Sequence, residues 1–197
     1  LTAYFPAFVI QISTGMLIPV LPLYIKEIGG GLELIGLGVA AIIIGNTIFD
    51  IPAGLLSQKY GYTRIIIISL LLQIILSASI PFAPNFPLFF AIRFIIGCAM
   101  AMWSISLLTN ISNTIPQNKR GRYLASLGGI NRIGWFIGPI IGGLLGAHIG
   151  LKSVFIAQAI ILVPLLLFIT VYFSKSKQGE TSPHKTIKND AILNAIQ

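Results

Sequence analysis

Apolar residues fill the first 173 positions in six long blocks, and most charged residues fall in the short gaps between them. A hydrocarbon core of about 30 Å takes about 20 helical residues to cross. The blocks lie at residues 3–25, 33–56, 64–83, 86–112, 122–147 and 151–173, and they predict six membrane-spanning helices. The gaps are Lys26 to Leu32, Ser57 to Thr63, Pro84-Asn85, Asn113 to Gly121 and His148 to Gly150. Each carries charge or turn-forming residues. Connections this short make successive spans antiparallel. After Phe173 the pattern stops. Residues 174–197 are polar and read as a basic tail or linker, with a short surface helix expected over Ala191 to Ile196.

The fifth block holds an unusual run, Gly134-Trp135-Phe136-Ile137-Gly138-Pro139-Ile140-Ile141-Gly142-Gly143. In a soluble helix a proline costs about 3 kcal/mol and each glycine about 1. Within a membrane, neighbouring helices re-satisfy the freed backbone groups. Gly134, Gly138 and Gly142 recur every four residues and so share one helix face. A face without side chains lets a second helix approach closely. Pro139 removes the hydrogen bond to the Trp135 carbonyl, so a bend is expected there.

Composition fits a membrane protein. Hydrophobic residues make up 55% of the chain and charged residues 9%, against about 25% charged in soluble domains. The net charge of +8 is spread over so few charges that it reads as basic loops facing anionic lipid, not as a nucleic-acid surface. The single cysteine, Cys98, permits no disulfide within the chain. No cleaved signal peptide is expected, because the first apolar run continues through Ile25 without a basic leader segment. Lys59, Arg64, Lys119, Arg120, Arg122 and the tail lysines Lys175, Lys177, Lys185 and Lys188 fall on one side of the predicted membrane; Lys26 and Lys152 fall on the other. The positive-inside rule makes the first side cytoplasmic. The expected protein is therefore a multi-pass plasma-membrane protein with both termini inside.

The gap after the second block reads Gly54-Leu55-Leu56-Ser57-Gln58-Lys59-Tyr60-Gly61-Tyr62-Thr63-Arg64. Gly61 suits the left-handed backbone of a helix cap. Taken with its position, this segment resembles the signature loop of the major facilitator superfamily. The first block's Gly15, Pro19 and Pro22 before Tyr24 are similar to a pattern ending that family's first helix. Arg93-Phe94-Ile95-Ile96-Gly97 looks like its Arg-x-x-x-Gly motif, and the glycine-proline run resembles the motif of its proton-antiporter branch. The resemblance covers residues 3–173 in the right order. It departs at Gln58, where the family usually has an acid that helps latch the transporter's two halves. It departs also at Tyr62 and Thr63, where basic residues are common, and at Ile96, often a glutamine.

The resemblance implies an all-α fold of six helices built as two three-helix inverted repeats, one half of a twelve-helix transporter. The implied partners are membrane lipids, a small organic substrate and a C-terminal six-helix half, supplied by the same gene, a separate chain or a second copy. No resident cofactor, enzymatic activity or nucleic-acid partner is expected; a proton gradient is the implied driving force. The implied activity is proton-coupled efflux by alternating access. Proton-linked uptake of a sugar, organic acid or other metabolite, and a non-transporting half-size subunit, are the alternatives.

An ionisable group inside a span costs at least about 2.5–3.5 kcal/mol at the bilayer centre, and so points to function. Asp50, Arg93 and Arg132 are such groups. Asp50 and Arg132 lie at similar depths from the cytoplasmic side and are expected to pair, or to meet through water. Arg93 matches the family motif, which implies a role in proton coupling or in recognising substrate charge. Gln11, Asn46, Trp103, Asn110 and Asn131 are expected to line a cavity. Gly54, Gln58, Lys59, Gly61 and Arg64 form the candidate loop motif; Gly134, Gly138, Pro139, Gly142 and Gly143 form the candidate fifth-span motif. His148 has no second histidine or carboxylate at ligand spacing, so no metal site is expected.

Overall fold

The computed structural model describes residues 4–176, which form seven α-helices and one short 3-10 turn. The first span comprises α1 (Tyr4–Gly15) and α2 (Leu17–Glu27), separated at Met16. Then follow α3 (Leu32–Tyr60), α4 (Tyr62–Ser79), α5 (Phe86–Thr114), α6 (Gln117–His148) and α7 (Leu151–Ser176). Six spans among the described residues are long and apolar enough to cross a membrane, in the order the hydropathy pattern predicts. The surface helix expected over 191–196 and the rest of the tail from residue 177 lie outside the described residues.

The first span is divided at Met16 without losing its helical backbone. Met16 keeps helical dihedrals and donates to Ile12 O at 3.0 Å. Pro19, lacking an N–H, cannot donate to the Gly15 carbonyl, and Pro22 likewise leaves Ile18 without a donor. Gly61 is the sole residue between α3 and α4. Its φ of +87° is the reason for a glycine, but with ψ at 140° the backbone is extended, not the left-handed cap expected. Its N–H still closes α3 by donating to Ser57 O at 3.0 Å.

The contacts reveal an internal repeat. α3 packs chiefly on α5, and α1 with α2 packs on α6; α4 rests on α5, α7 rests on the first span, and α4 and α7 touch each other. Exchanging spans one, two and three with four, five and six reproduces this scheme. Adjacent spans run antiparallel, so the first and fourth point oppositely, as inverted repeats require. The close contacts repeat too. A Cβ on Gly97 of α5 would run into the Ile42 carbonyl of α3, and one on Gly45 into the Phe94 carbonyl. In the other pairing, a Cβ on Gly138 of α6 would lie 2.6 Å from Ile12 O, and one on Gly142 would strike the Met16 carbonyl. The Trp135 carbonyl freed by Pro139, and the Pro139 ring, lie against Gly15. The fifth-span glycines thus let α6 sit backbone-to-backbone on the first span.

The main apolar core gathers Met16, Val20, Tyr24, Ile25, Ile80, Phe89, Val154 and Phe155 at the end away from the basic loops. Tyr24 stacks edge-on against Phe155 at 4.9 Å and donates its hydroxyl to Ile80 O at 2.9 Å. Tyr24→Phe removes that buried bond, while Ile80 O keeps the Ala83 N–H at 2.9 Å. The expected loss is therefore about 1 kcal/mol, read as a lower unfolding midpoint in detergent.

Candidate functional site

Two adjoining cavities run along the inner faces of the bundle and share Ile42, Ile43, Gln73 and Met100. The larger, about 550 Å³, extends from Asn46 and Met100 at mid-helix to Ala7, Ile111 and Leu124 near the basic end. Gln11, Asn46, Trp103 and Asn131 all line it. These four were separated in sequence, and crossing helices bring them together. The rest of its wall is mostly aliphatic, from α1, α3, α5 and α6. Its size falls within the range of about 300–1,000 Å³ typical of ligand pockets. None of its lining residues carries a charge. Such a lining offers apolar contact and amide hydrogen bonds, and no partner for an ion pair.

The second cavity, about 280 Å³, reaches toward the opposite end and contains Arg93. Arg93 is 5% exposed. It comes from α5 and lines this cavity together with Thr14 and Leu17 of the first span, Gln73 of α4 and Gln158 of α7. Arg93 and Gln11 each precede by four residues the glycine that seats its helix, Gly97 and Gly15 respectively. The repeat therefore places a cation and a neutral amide at matching positions.

The remaining sequence candidates lie elsewhere. Arg132 is exposed and borders a shallow depression with Gln11, Gly128, Asn131 and Trp135. Asp50 is half-buried on α3 and borders none of these three hollows. Among the described residues no ion pair joins Asp50 to Arg132. The expected pairing rested on depth alone; α3 turns to α5 while α6 turns to the first span, so the two side chains leave different helix pairs. Asn110 accepts from Thr114 Oγ1 at 3.0 Å and stays outside the cavities. Gln58, Lys59 and Arg64 are exposed at the basic end, with the Lys59 ammonium 5.2 Å from the Tyr60 ring centre. Gly54 is half-buried, facing Ile105 of α5.

Gln73 and Gln158 escaped the sequence reading. Their signal was an amide interrupting the apolar runs Leu70-Leu71-Leu72 to Ile74-Ile75 and Phe155-Ile156 to Ile160-Ile161. A side-chain amide inside a span is expected at a helix–helix contact, where a partner is within reach.

A sequence model of the Major Facilitator Superfamily matches residues 3–195. The chain belongs to this superfamily. It is 24% identical over 199 residues to the multi-drug resistance efflux pump PmrA of Streptococcus pneumoniae, covering 99% of this chain and 49% of the pump. It is 29% identical over 191 residues to the class H tetracycline resistance protein of Pasteurella multocida, covering 94% and 47%. It is 30% identical over 142 residues to the quinolone resistance protein NorA of Staphylococcus aureus, covering 72% and 37%. The chain spans about half the length of these relatives or less. As a superfamily member it is a multi-pass membrane protein, and its six spans match one six-helix half of that fold.

Proposed function

We propose that this chain forms one half of a secondary transporter that exports a small organic compound in exchange for protons, by alternating access. The observation that carries the reading is the uncharged cavity of about 550 Å³ lined by Gln11, Asn46, Trp103 and Asn131. Its support is the likeness to proteins named for drug efflux or drug resistance. The cavity opens along inner faces that a second six-helix body is expected to cover, whether that body comes from the same gene, a separate chain or a second copy. Lys59, Arg64, Lys119 and Arg122 are exposed at one end of the bundle, which supports a plasma-membrane orientation with both termini in the cytoplasm. Neither cavity wall carries a carboxylate. The exchanged proton is therefore assigned to Asp50 or to an acid of the other half. Gln58 leaves the contact between halves without the charge pair that family loops usually provide.

The test is transport by the full protein in inside-out vesicles. A lipophilic cationic dye should accumulate when a proton gradient is imposed, and the accumulation should collapse when a protonophore is added. Accumulation only in right-side-out vesicles would replace export by uptake. Absence of flux in either orientation would leave a non-transporting membrane subunit.

A further inference from the structure

The smaller cavity holds a cluster for which the export reading names no ligand. Arg93, Gln73 and Gln158 are 5%, 2% and 4% exposed and come from three different helices. Their polar atoms are left over. Arg93 Nε and Nη1, Gln73 Nε2 and Gln158 Oε1 are buried without a hydrogen-bond partner among the described residues. A guanidinium stays charged even when buried, and an uncompensated buried charge is unfavourable. No acid lines the cavity. An anion there would accept from Arg93 and from the Gln73 amide. The Gln158 amide has both a donor and an acceptor end and can turn either toward it.

The rest of the wall indicates what kind of anion. Leu17, Leu21, Ile42, Ile96, Met100 and Trp135 are apolar and would cover a hydrocarbon group, not a hydrated ion. The volume, about 280 Å³, lies just under the range of about 300–1,000 Å³ for drug-sized ligands. We propose that this cavity binds a small free monocarboxylate, with its carboxylate on Arg93 and Gln73 and its hydrocarbon part against Trp135 and Met100. The site adjoins the larger uncharged cavity and shares Gln73 and Met100 with it, but Arg93 and Gln158 line the smaller cavity alone. It depends on the transport reading only for access to the cavity from one side of the membrane.

The probe is sodium benzoate, compared with neutral benzamide and with sodium chloride at matched ionic strength, on the full protein in detergent. Benzoate should raise the unfolding temperature saturably, and benzamide and chloride should not. Arg93→Met should abolish the rise; Gln73→Leu and Gln158→Leu should each increase the half-saturating concentration at least fivefold. No rise in the native protein, an equal rise with benzamide or chloride, or a rise surviving Arg93→Met overturns the site. If Arg93→Met does not fold, an unchanged midpoint in both glutamine variants overturns it. Binding is read without a gradient. A protein that binds benzoate yet moves no dye in vesicles loses the export reading and keeps the site; the reverse result does the opposite.

Discussion

Gly142→Ala should sharply destabilise the protein, and Gly143→Ala, one residue along, should leave it nearly unchanged. The added methyl at Gly142 falls on the Met16 carbonyl. Backbone is not a flexible neighbour, so α6 and the first span have to separate. Overpacking of this kind costs about 1–3 kcal/mol, and the upper end applies because Gly134, Gly138 and Gly142 lie on one contact and move together. At Gly143 an added Cβ meets nothing within 4 Å, and a change within about 0.5 kcal/mol is expected. Unfolding midpoints and the fraction of protein remaining monodisperse in detergent measure both. Equal behaviour of the two variants would contradict the close packing of α6 on the first span.

Arg93→Met should move stability and transport in opposite directions. Replacing buried ionic groups by apolar ones of similar volume is often neutral or stabilising by about 1–4 kcal/mol. Arg93 has no ionic partner among the described residues. In buffer free of small carboxylates, the variant should therefore melt at the native temperature or above it. Gradient-driven dye export should fall more than tenfold if Arg93, the buried cation of the second cavity, serves the proton coupling that its family motif implies. A variant that melts lower and exports normally would make Arg93 a packing residue.

Hydropathy located all six spans but underestimated the helices. α3 runs on to Tyr60 through Ser57, Gln58 and Lys59, and α6 begins at Gln117, well before the apolar block. An apolar run marks where lipid begins and ends; the backbone continues its hydrogen bonds beyond that edge for as long as no residue breaks them. Gly61 and Pro116 supply the breaks. The glycine spacing in the fifth span predicted a close neighbour, and the structure identifies it as the first span. Gln11, Asn46, Trp103 and Asn131 were visible as polar or aromatic residues in apolar helices. Their meeting in one cavity depends on helix crossings that no single span encodes. Asp50 and Arg132 show the same limit from the other side: depth is legible along a helix, but direction around it needs the neighbour's position.

The connections bear on how such a half can move. Only Gly61 separates α3 from α4, and only Ile115 and Pro116 separate α5 from α6. At the other end Ile149 and Gly150 alone join α6 to α7. Arg120 ties one of these corners further by donating to Ser112 O at 2.7 Å. Helices strapped this tightly at the basic end have little slack to slide or part from one another there. Access to the cavities from alternate sides would then come from tilting the six helices as a stiff unit. A cross-link placed within the half should leave the cycle running, and one placed between the halves should stop it.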